Sequence, residues 1–212
     1  MNKTWDSATS GFGERGQEPF GDIPTESEAF LRWGTTLDRH HPYKYELSQG
    51  KVSRMMIQVS RAHWLVCRNI LGELLARLDE ARFHAGPSEF GVRTGVGVRY
   101  PDVIVDRASA DLKGLACEAP VFIAEVLSPS TAGVDFTAKL QEYTAIASVQ
   151  TYLICSQDEP RAWGWSRQAD GTWPTLPTEL AGREGTIPLA GLGIDLAMVA
   201  IFRGIPDPPT IA

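Results

Sequence analysis

The sequence predicts an α/β fold: a mixed central β-sheet flanked by helices, in the order α-β-β-β-α-β, preceded by an N-terminal hairpin. Three observations lead there. Trp64, Ile70, Leu71, Leu74, Leu75 and Leu78 recur at helical spacing between Arg61 and Glu80, behind Ser60 as a capping residue. Val121-Phe122-Ile123-Ala124-Glu125-Val126-Leu127 and Thr151-Tyr152-Leu153-Ile154-Cys155 read as strands buried on both faces. Between them, Phe136, Leu140 and Tyr143 mark one stripe of a helix over Asp135–Ala147.

Taken in order, residues 1–22 hold Gly11, Gly13, Gly16 and Gly21 among scattered charges without periodicity, and predict a flexible tail. One domain follows over 23–204, and a Pro-rich tail over 205–212. Pro24-Thr25-Glu26-Ser27-Glu28 before Ala29-Phe30-Leu31 marks a helix start, with Asp22 or Thr25 as cap. Tyr43–Leu47 and Lys51–Ile57 around Ser48-Gln49-Gly50 predict a hairpin. Short strands are expected near Arg82–His84 and Glu89–Arg93, with Gly95-Val96-Gly97 as a turn rather than a dinucleotide loop. Tyr100-Pro101-Asp102-Val103-Ile104-Val105-Asp106 is a further strand, its proline at a tolerated first position. Trp163–Ser166 and Gly171–Pro174 predict a peripheral hairpin, and Leu189–Leu196 leads into a short terminal helix.

The 212 residues suffice for one well-cored domain. No apolar run reaches the roughly 18–20 residues of a membrane span, and Met1-Asn2-Lys3-Thr4-Trp5-Asp6 lacks the apolar core of a signal peptide, so a cytoplasmic protein is expected. Cys67, Cys117 and Cys155 are far apart among apolar residues, the pattern of reduced core cysteines rather than of a zinc site. A net charge of −6 argues against nonspecific coating of nucleic acid. Residues 51–107 nevertheless carry nine basic against six acidic side chains, which fits either a solvated helix face or a surface turned toward a polyanion.

The most informative residue is Glu125, a lone carboxylate in an apolar strand. An unpaired charge there costs several kcal/mol, enough to force neutralisation, pairing or a metal ion. Asp102 opens the preceding strand. Two carboxylates on neighbouring strands suit a hard divalent cation; the alternative is a strand-start Asp capping local N–H groups and a core Glu paired with Arg or Lys.

The ordered set resembles the Uma2 family, a restriction-endonuclease-like group within the PD-(D/E)XK nuclease fold. Tyr45-Glu46-Leu47 with Gly50 is similar to the family's opening hairpin, Ser60-x-x-His63 to its long helix, and Pro101-Asp102-Val103 to its Pro-Asp-Val strand. Most specific is Glu125-Val126-Leu127-Ser128-Pro129-Ser130-Thr131 followed by Asp135, Lys139 and Tyr143. The chain departs from the family at Gln49 and Lys51, where acids are common. The position two residues beyond Glu125 is Leu127 rather than the lysine of many such nucleases, and the resemblance implies Lys139 as the displaced lysine.

What the resemblance implies is a Mg²⁺-dependent endonuclease acting on DNA, with Mn²⁺ as a substitute ion and a homodimer as the expected assembly. Asp102, Glu125 and the Val126 carbonyl would hold the metal, which needs only a few protein oxygens because Mg²⁺ keeps several waters. Lys139 would orient or deprotonate water or stabilise charge, against the reading of Asp135 and Lys139 as an ordinary surface pair four residues apart. Glu46, His63 and Tyr143 are accessory candidates, each with a structural alternative: strand-surface acid, helix-start histidine and packing residue. Ser128 and Ser130 lack a Gly-x-Ser-x-Gly elbow and read as part of a turn. A nuclease-fold protein that binds DNA or a partner without cutting is the second hypothesis, and another metal-dependent hydrolase the third.

Overall fold

The computed structural model of the chain describes residues 23–37, 43–56, 58–128 and 132–207. The expected tail at 1–22, the end of the Pro-rich segment at 208–212 and the turn residues Pro129-Ser130-Thr131 lie outside them.

The chain runs through α1 (Ser27–Gly34), β1 (Tyr43–Ser48), β2 (Lys51–Met56), α2 (Arg61–Leu75), β3 (Phe83–Pro87), β4 (Gly91–Thr94), β5 (Gly97–Arg99), β6 (Val103–Arg107), β7 (Ala116–Cys117) and β8 (Pro120–Val126). Then come α3 (Ala132–Val134), a π-helical turn (Asp135–Lys139), α4 (Leu140–Thr144), β9 (Thr151–Cys155), β10 (Arg161–Ser166), β11 (Thr178–Ala181), β12 (Thr186–Leu189), β13 (Ile194–Ala197) and α5 (Met198–Ile201). Among the described residues the strands form three sheets rather than a single central one. The largest has six strands in the order β11-β10-β9-β8-β6-β3, the second five in the order β2-β1-β5-β4-β7, and β12 with β13 makes a two-stranded ribbon.

The six-stranded sheet carries the expected α-β-β-β-α-β core as α2, β3, β6, β8, the helical segment 132–144 and β9. β3, β6 and β8 pair antiparallel, while β8 and β9 pair parallel, a connection that requires a crossover and is filled here by the helical segment. Alternation along β8 divides the core. Phe122, Ala124 and Val126 pack with Val66, Ile70 and Leu74 of α2, whereas Ile123 packs with Tyr143 and Tyr152 on the other face. Ser60 caps α2, its hydroxyl oxygen accepting from the His63 N–H at 3.0 Å. A third cluster, with Phe30, Leu31, Tyr45, Leu47 and Val98, joins α1 to the five-stranded sheet.

Several expectations are corrected. α2 ends at Leu75 rather than Glu80. The strand expected at Glu89–Arg93 is β4 and belongs to the five-stranded sheet. β10 finds its partners in β9 and β11, not in Gly171–Pro174, because Trp163 and Trp165 extend the buried sheet instead of leaving it. The N-cap of α1 is Glu26, without a side-chain hydrogen bond, rather than Asp22 or Thr25.

Two local features bring the hairpin to the core. Gln49 and Gly50 both have positive φ, 50° and 70°, the geometry of a two-residue hairpin loop. At Gly97 a Cβ would fall 1.9 Å from the Leu47 carbonyl oxygen, so only glycine lets β5 approach β1 this closely. That approach sets Arg99 beside Glu46.

Candidate active site

Val103 pairs with Ala124 and Ile104 with Ile123, so the next pair in the register sets Asp102 opposite Glu125. Opposite residues of an antiparallel pair share a face, with Cβ atoms about 4.5–5.5 Å apart. Both side chains line one cavity of about 670 Å³, together with Glu46, His63, Val126 and Lys139. Among the described residues, six of the seven candidate positions therefore meet at the ends of β6 and β8. The seventh, Tyr143, lies beneath them.

Glu125 is 3% exposed and its Oε1 accepts two hydrogen bonds, from Lys139 Nζ and from the Tyr143 hydroxyl, each at 2.9 Å. Lys139 Nζ also lies 3.0 Å from Asp135 Oδ1. The sequence alternative of a surface ion pair is thereby overturned, since Asp135 is 1% and Lys139 4% exposed. The π-helical turn is what aims both inward, and single-turn π segments often occur at functional positions. Tyr152 on β9 anchors this turn by donating its hydroxyl to the Asp135 carbonyl at 3.0 Å.

Burial pushes the Glu125 carboxyl up to about 8; Lys139 pulls against this, while Asp102, Asp135 and Glu46 add to it. Burial acts to lower the Lys139 pKa, but Glu125, Glu46 and Asp135 outweigh it and hold the ammonium above its ordinary range. Asp102 behaves differently. Burial would raise it, yet hydrogen bonding and charge from His63 and the backbone N–H of Val126 bring it below the usual carboxylate value. Val126 N donates to Asp102 Oδ2 at 2.7 Å, and His63 Nε2 lies 3.2 Å from the same oxygen.

Glu46 is a buried acid rather than a strand-surface one, and both of its oxygens are engaged. Arg99 Nη1 donates to Oε2 at 2.9 Å, and Tyr100 N to Oε1 at 3.1 Å. Arg99 grips Glu142 in addition, Nε to Oε2 at 2.8 Å and Nη2 to Oε1 at 2.6 Å. The sequence reading missed Arg99, Glu142 and Lys44. A usable signal existed for Glu142, since Asp135, Lys139 and Glu142 recur at helical spacing on a segment whose apolar stripe also faces inward. Nothing comparable marked Arg99 in its short strand.

Lys139 is shared by Glu125 and Asp135, and Arg99 by Glu46 and Glu142. The carboxyl groups of Glu46, Asp102 and Glu125 on the cavity wall are clustered hard oxygen donors, the ligand type a hard divalent cation takes. Among the described residues no helix is long and apolar enough to cross a membrane.

The family model of Uma2, described as "Putative restriction endonuclease", matches residues 27–199. The chain is 26% identical over 185 residues to "Uncharacterized protein slr1290" of Synechocystis, covering 84% of this chain and 91% of that protein. It is 37% identical over 91 residues to "Uncharacterized protein sll1609" of the same organism, covering 42% of this chain and 50% of that one. A crystal structure from Anabaena variabilis titled as "a putative nuclease belonging to DUF820" superposes with a TM-score of 0.60 at 17% identity, over 81% of this chain and 96% of that chain. That likeness shows that the two chains share a fold.

Proposed function

Because this chain belongs to the Uma2 family, we propose that it is a nuclease, a Mg²⁺-dependent endonuclease hydrolysing phosphodiester bonds of DNA, with Mn²⁺ as a substitute ion. The observation that carries this reading is Asp102 opposite Glu125 on one cavity wall, with the Lys139 ammonium 2.9 Å from the Glu125 carboxylate.

Asp102 and Glu125 would hold the ion, with the Val126 carbonyl as a further oxygen. A bound Mg²⁺ supplies water activation and neutralisation of phosphoryl charge. The protein's own groups do the rest. Val126 N–H and His63 fix the Asp102 carboxylate and keep it ionised. Lys139 and Tyr143 both bind Glu125 Oε1, which leaves Oε2 outside these two bonds for a ligand role. Lys139, held above its ordinary range by Glu125, Glu46 and Asp135, would orient water or stabilise developing negative charge. Lys44 and Arg54 on the same wall are placed to attract the phosphate backbone.

The test is nicking of supercoiled plasmid by purified protein with Mg²⁺ or Mn²⁺. Cleavage should stop with chelator and in Glu125→Ala. A second reading, a nuclease-fold protein that binds DNA or a partner without cutting, is favoured by one observation: both Glu46 oxygens and Oε1 of Glu125 are already engaged by protein donors. Metal-independent DNA binding without cleavage on either DNA or RNA would select it.

A further inference from the structure

On the helix side of Asp102 lies a second donor set, in which Cys67, a residue the nuclease reading does not use, joins His63 and Asp102. His63 and Cys67 are four residues apart on α2 and so project from one face of it. Cys67 Sγ is 3.5 Å from His63 Nδ1, and His63 Nε2 is 3.2 Å from Asp102 Oδ2. One ligand atom from each of the three lies within 4.8 Å of the others. The sulfur, nitrogen and oxygen donors of a tetrahedral zinc site, bonded at roughly 2.0–2.3 Å, stand about 3.3–3.8 Å apart. Closing this set on one ion therefore requires side-chain shifts of about an ångström, with metal bonds replacing the present Cys67–His63–Asp102 contacts.

We infer that His63, Cys67 and Asp102 form a binding site for a borderline-soft divalent cation, Zn²⁺ or Co²⁺, separate from the hard-cation site at Asp102 and Glu125 but sharing Asp102 with it. The donor chemistry divides the two. Thiol and imidazole select Zn²⁺ and Co²⁺, whereas Mg²⁺ takes oxygen ligands. Three protein ligands leave a fourth position for water, and the cavity that opens on His63 and Asp102 gives an ion its way in. Binding breaks the S–H bond of Cys67 and forms a metal–sulfur bond, the proton passing to buffer. Cys117 and Cys155, expected from sequence to be core thiols, are both buried and belong to no such set among the described residues. Cys67 had the same expectation. What separates it is Asp102, distant in sequence and brought alongside by the fold.

Because Asp102 is shared, Zn²⁺ bound here withdraws a ligand from the nuclease site and inhibits Mg²⁺-driven cleavage. Only this consequence rests on the nuclease reading. Co²⁺ titration of the full chain should give a 1:1 near-ultraviolet sulfur-to-cobalt charge-transfer band, bleached by Zn²⁺ and indifferent to Mg²⁺. Cys67→Ser should abolish the band, and His63→Gln should weaken Co²⁺ binding at least tenfold, circular dichroism confirming that each variant is folded. In the cleavage assay Cys67→Ser should retain activity with Mg²⁺ within about twofold while the Zn²⁺ concentration for half inhibition rises at least tenfold. No sulfur-to-cobalt band in the wild type, or a band unchanged in Cys67→Ser, overturns the site. A band without cleavage in any metal leaves the site standing and removes the nuclease reading; cleavage without a band does the reverse.

Discussion

Two buried networks, each built from one basic residue between two carboxylates, lie on neighbouring parts of this molecule and are put together differently. Arg99 spends its planar fork on Glu142 and Glu46, and those acids receive further donors in the Ser48 hydroxyl, at 2.7 Å, and Tyr100 N. Lys139, a point charge on a flexible stem, serves Glu125 and Asp135 from a π-helical turn. The arginine network ties the five-stranded sheet to α4 and has the geometry of a joint. Its lysine counterpart leaves Glu125 with a carboxyl pushed up to about 8 at the wall of an open cavity. Both networks border that cavity, but Arg99 engages both oxygens of Glu142 and Tyr100 N completes Glu46, whereas Glu125 keeps Oε2 outside its two bonds to Lys139 and Tyr143.

The largest expected effect separates the two by activity. Glu125→Gln nearly preserves volume and removes a metal-binding charge, so metal-dependent cleavage should fall by orders of magnitude while DNA binding holds or strengthens. Its Tm should stay level or rise, since a buried, poorly neutralised carboxylate is destabilising. Arg99→Ala should do the opposite. Stripping the shared cation from two carboxylates should cost about 3–5 kcal/mol in urea denaturation, and loss of cleavage would follow loss of fold. An Arg99→Ala protein of wild-type stability would sink the assignment of that network as a joint.

The networks should also tilt stability with pH in opposite directions. For Glu142, burial acts to raise the carboxyl, but Arg99 and Ser48 bring it below its unfolded value of 4.5. Its contribution is therefore present above about pH 4.5 and is lost as pH falls through the depressed folded value. For Glu125 the folded value of about 8 exceeds the unfolded 4.5, so the native state holds the extra proton between them. Metal-free protein should then lose stability as pH rises from about 4.5 to about 8, and Glu125→Gln should flatten that limb. A denaturation series across pH without metal checks both slopes. If Glu142→Gln left the acid limb unchanged, the arginine clamp would not be its source.

Much of this was legible in the sequence where one residue contradicts its neighbours. Glu125 is such a residue: on the order of 1.5–3 kcal/mol accompanies burial of each of Val121, Phe122 and Ile123, and a lone carboxylate among them offsets a sizeable part of that gain. The core strands, the start of α2 and the neighbouring of the Asp102 and Glu125 strands followed from such local patterns. Arg99 was not legible, because its meaning depends on β5 lying against β1, a long-range contact permitted by Gly97; Glu142 carried only its helical spacing with Asp135 and Lys139. The Asp135–Lys139 spacing fits a surface pair and a buried one equally well; burial is decided by the sheet packed beneath. Asp106 makes a similar point. Four residues from Asp102 along β6, it accepts from the backbone N–H groups of Glu118 and Ala119 at 3.1 and 2.9 Å and is a structural cap. The two aspartates flank one apolar run, yet Asp102 meets β8 and α2 while Asp106 meets the connection between β7 and β8, a difference no periodicity encodes.

The smallest and most discriminating pair of variants removes one hydroxyl from each network. Ser48→Ala takes a donor from Glu142, which keeps both Arg99 bonds, so stability should drop by about 1 kcal/mol with cleavage unchanged. Tyr143→Phe takes a donor from Glu125 while the ring, fully buried against Tyr152 with centroids 5.2 Å apart, keeps its packing. If that hydroxyl serves to fix the carboxylate for a ligand, its loss should lower cleavage about tenfold, the equivalent of roughly 1.4 kcal/mol in the barrier. The required metal concentration should rise and Tm should change little. The KM for DNA should not move, because Tyr143 lies beneath the cavity rather than in its wall. Equal losses of stability in both variants, with no change in metal dependence for Tyr143→Phe, would make the hydroxyl a packing feature and erase the contrast between the networks at that point.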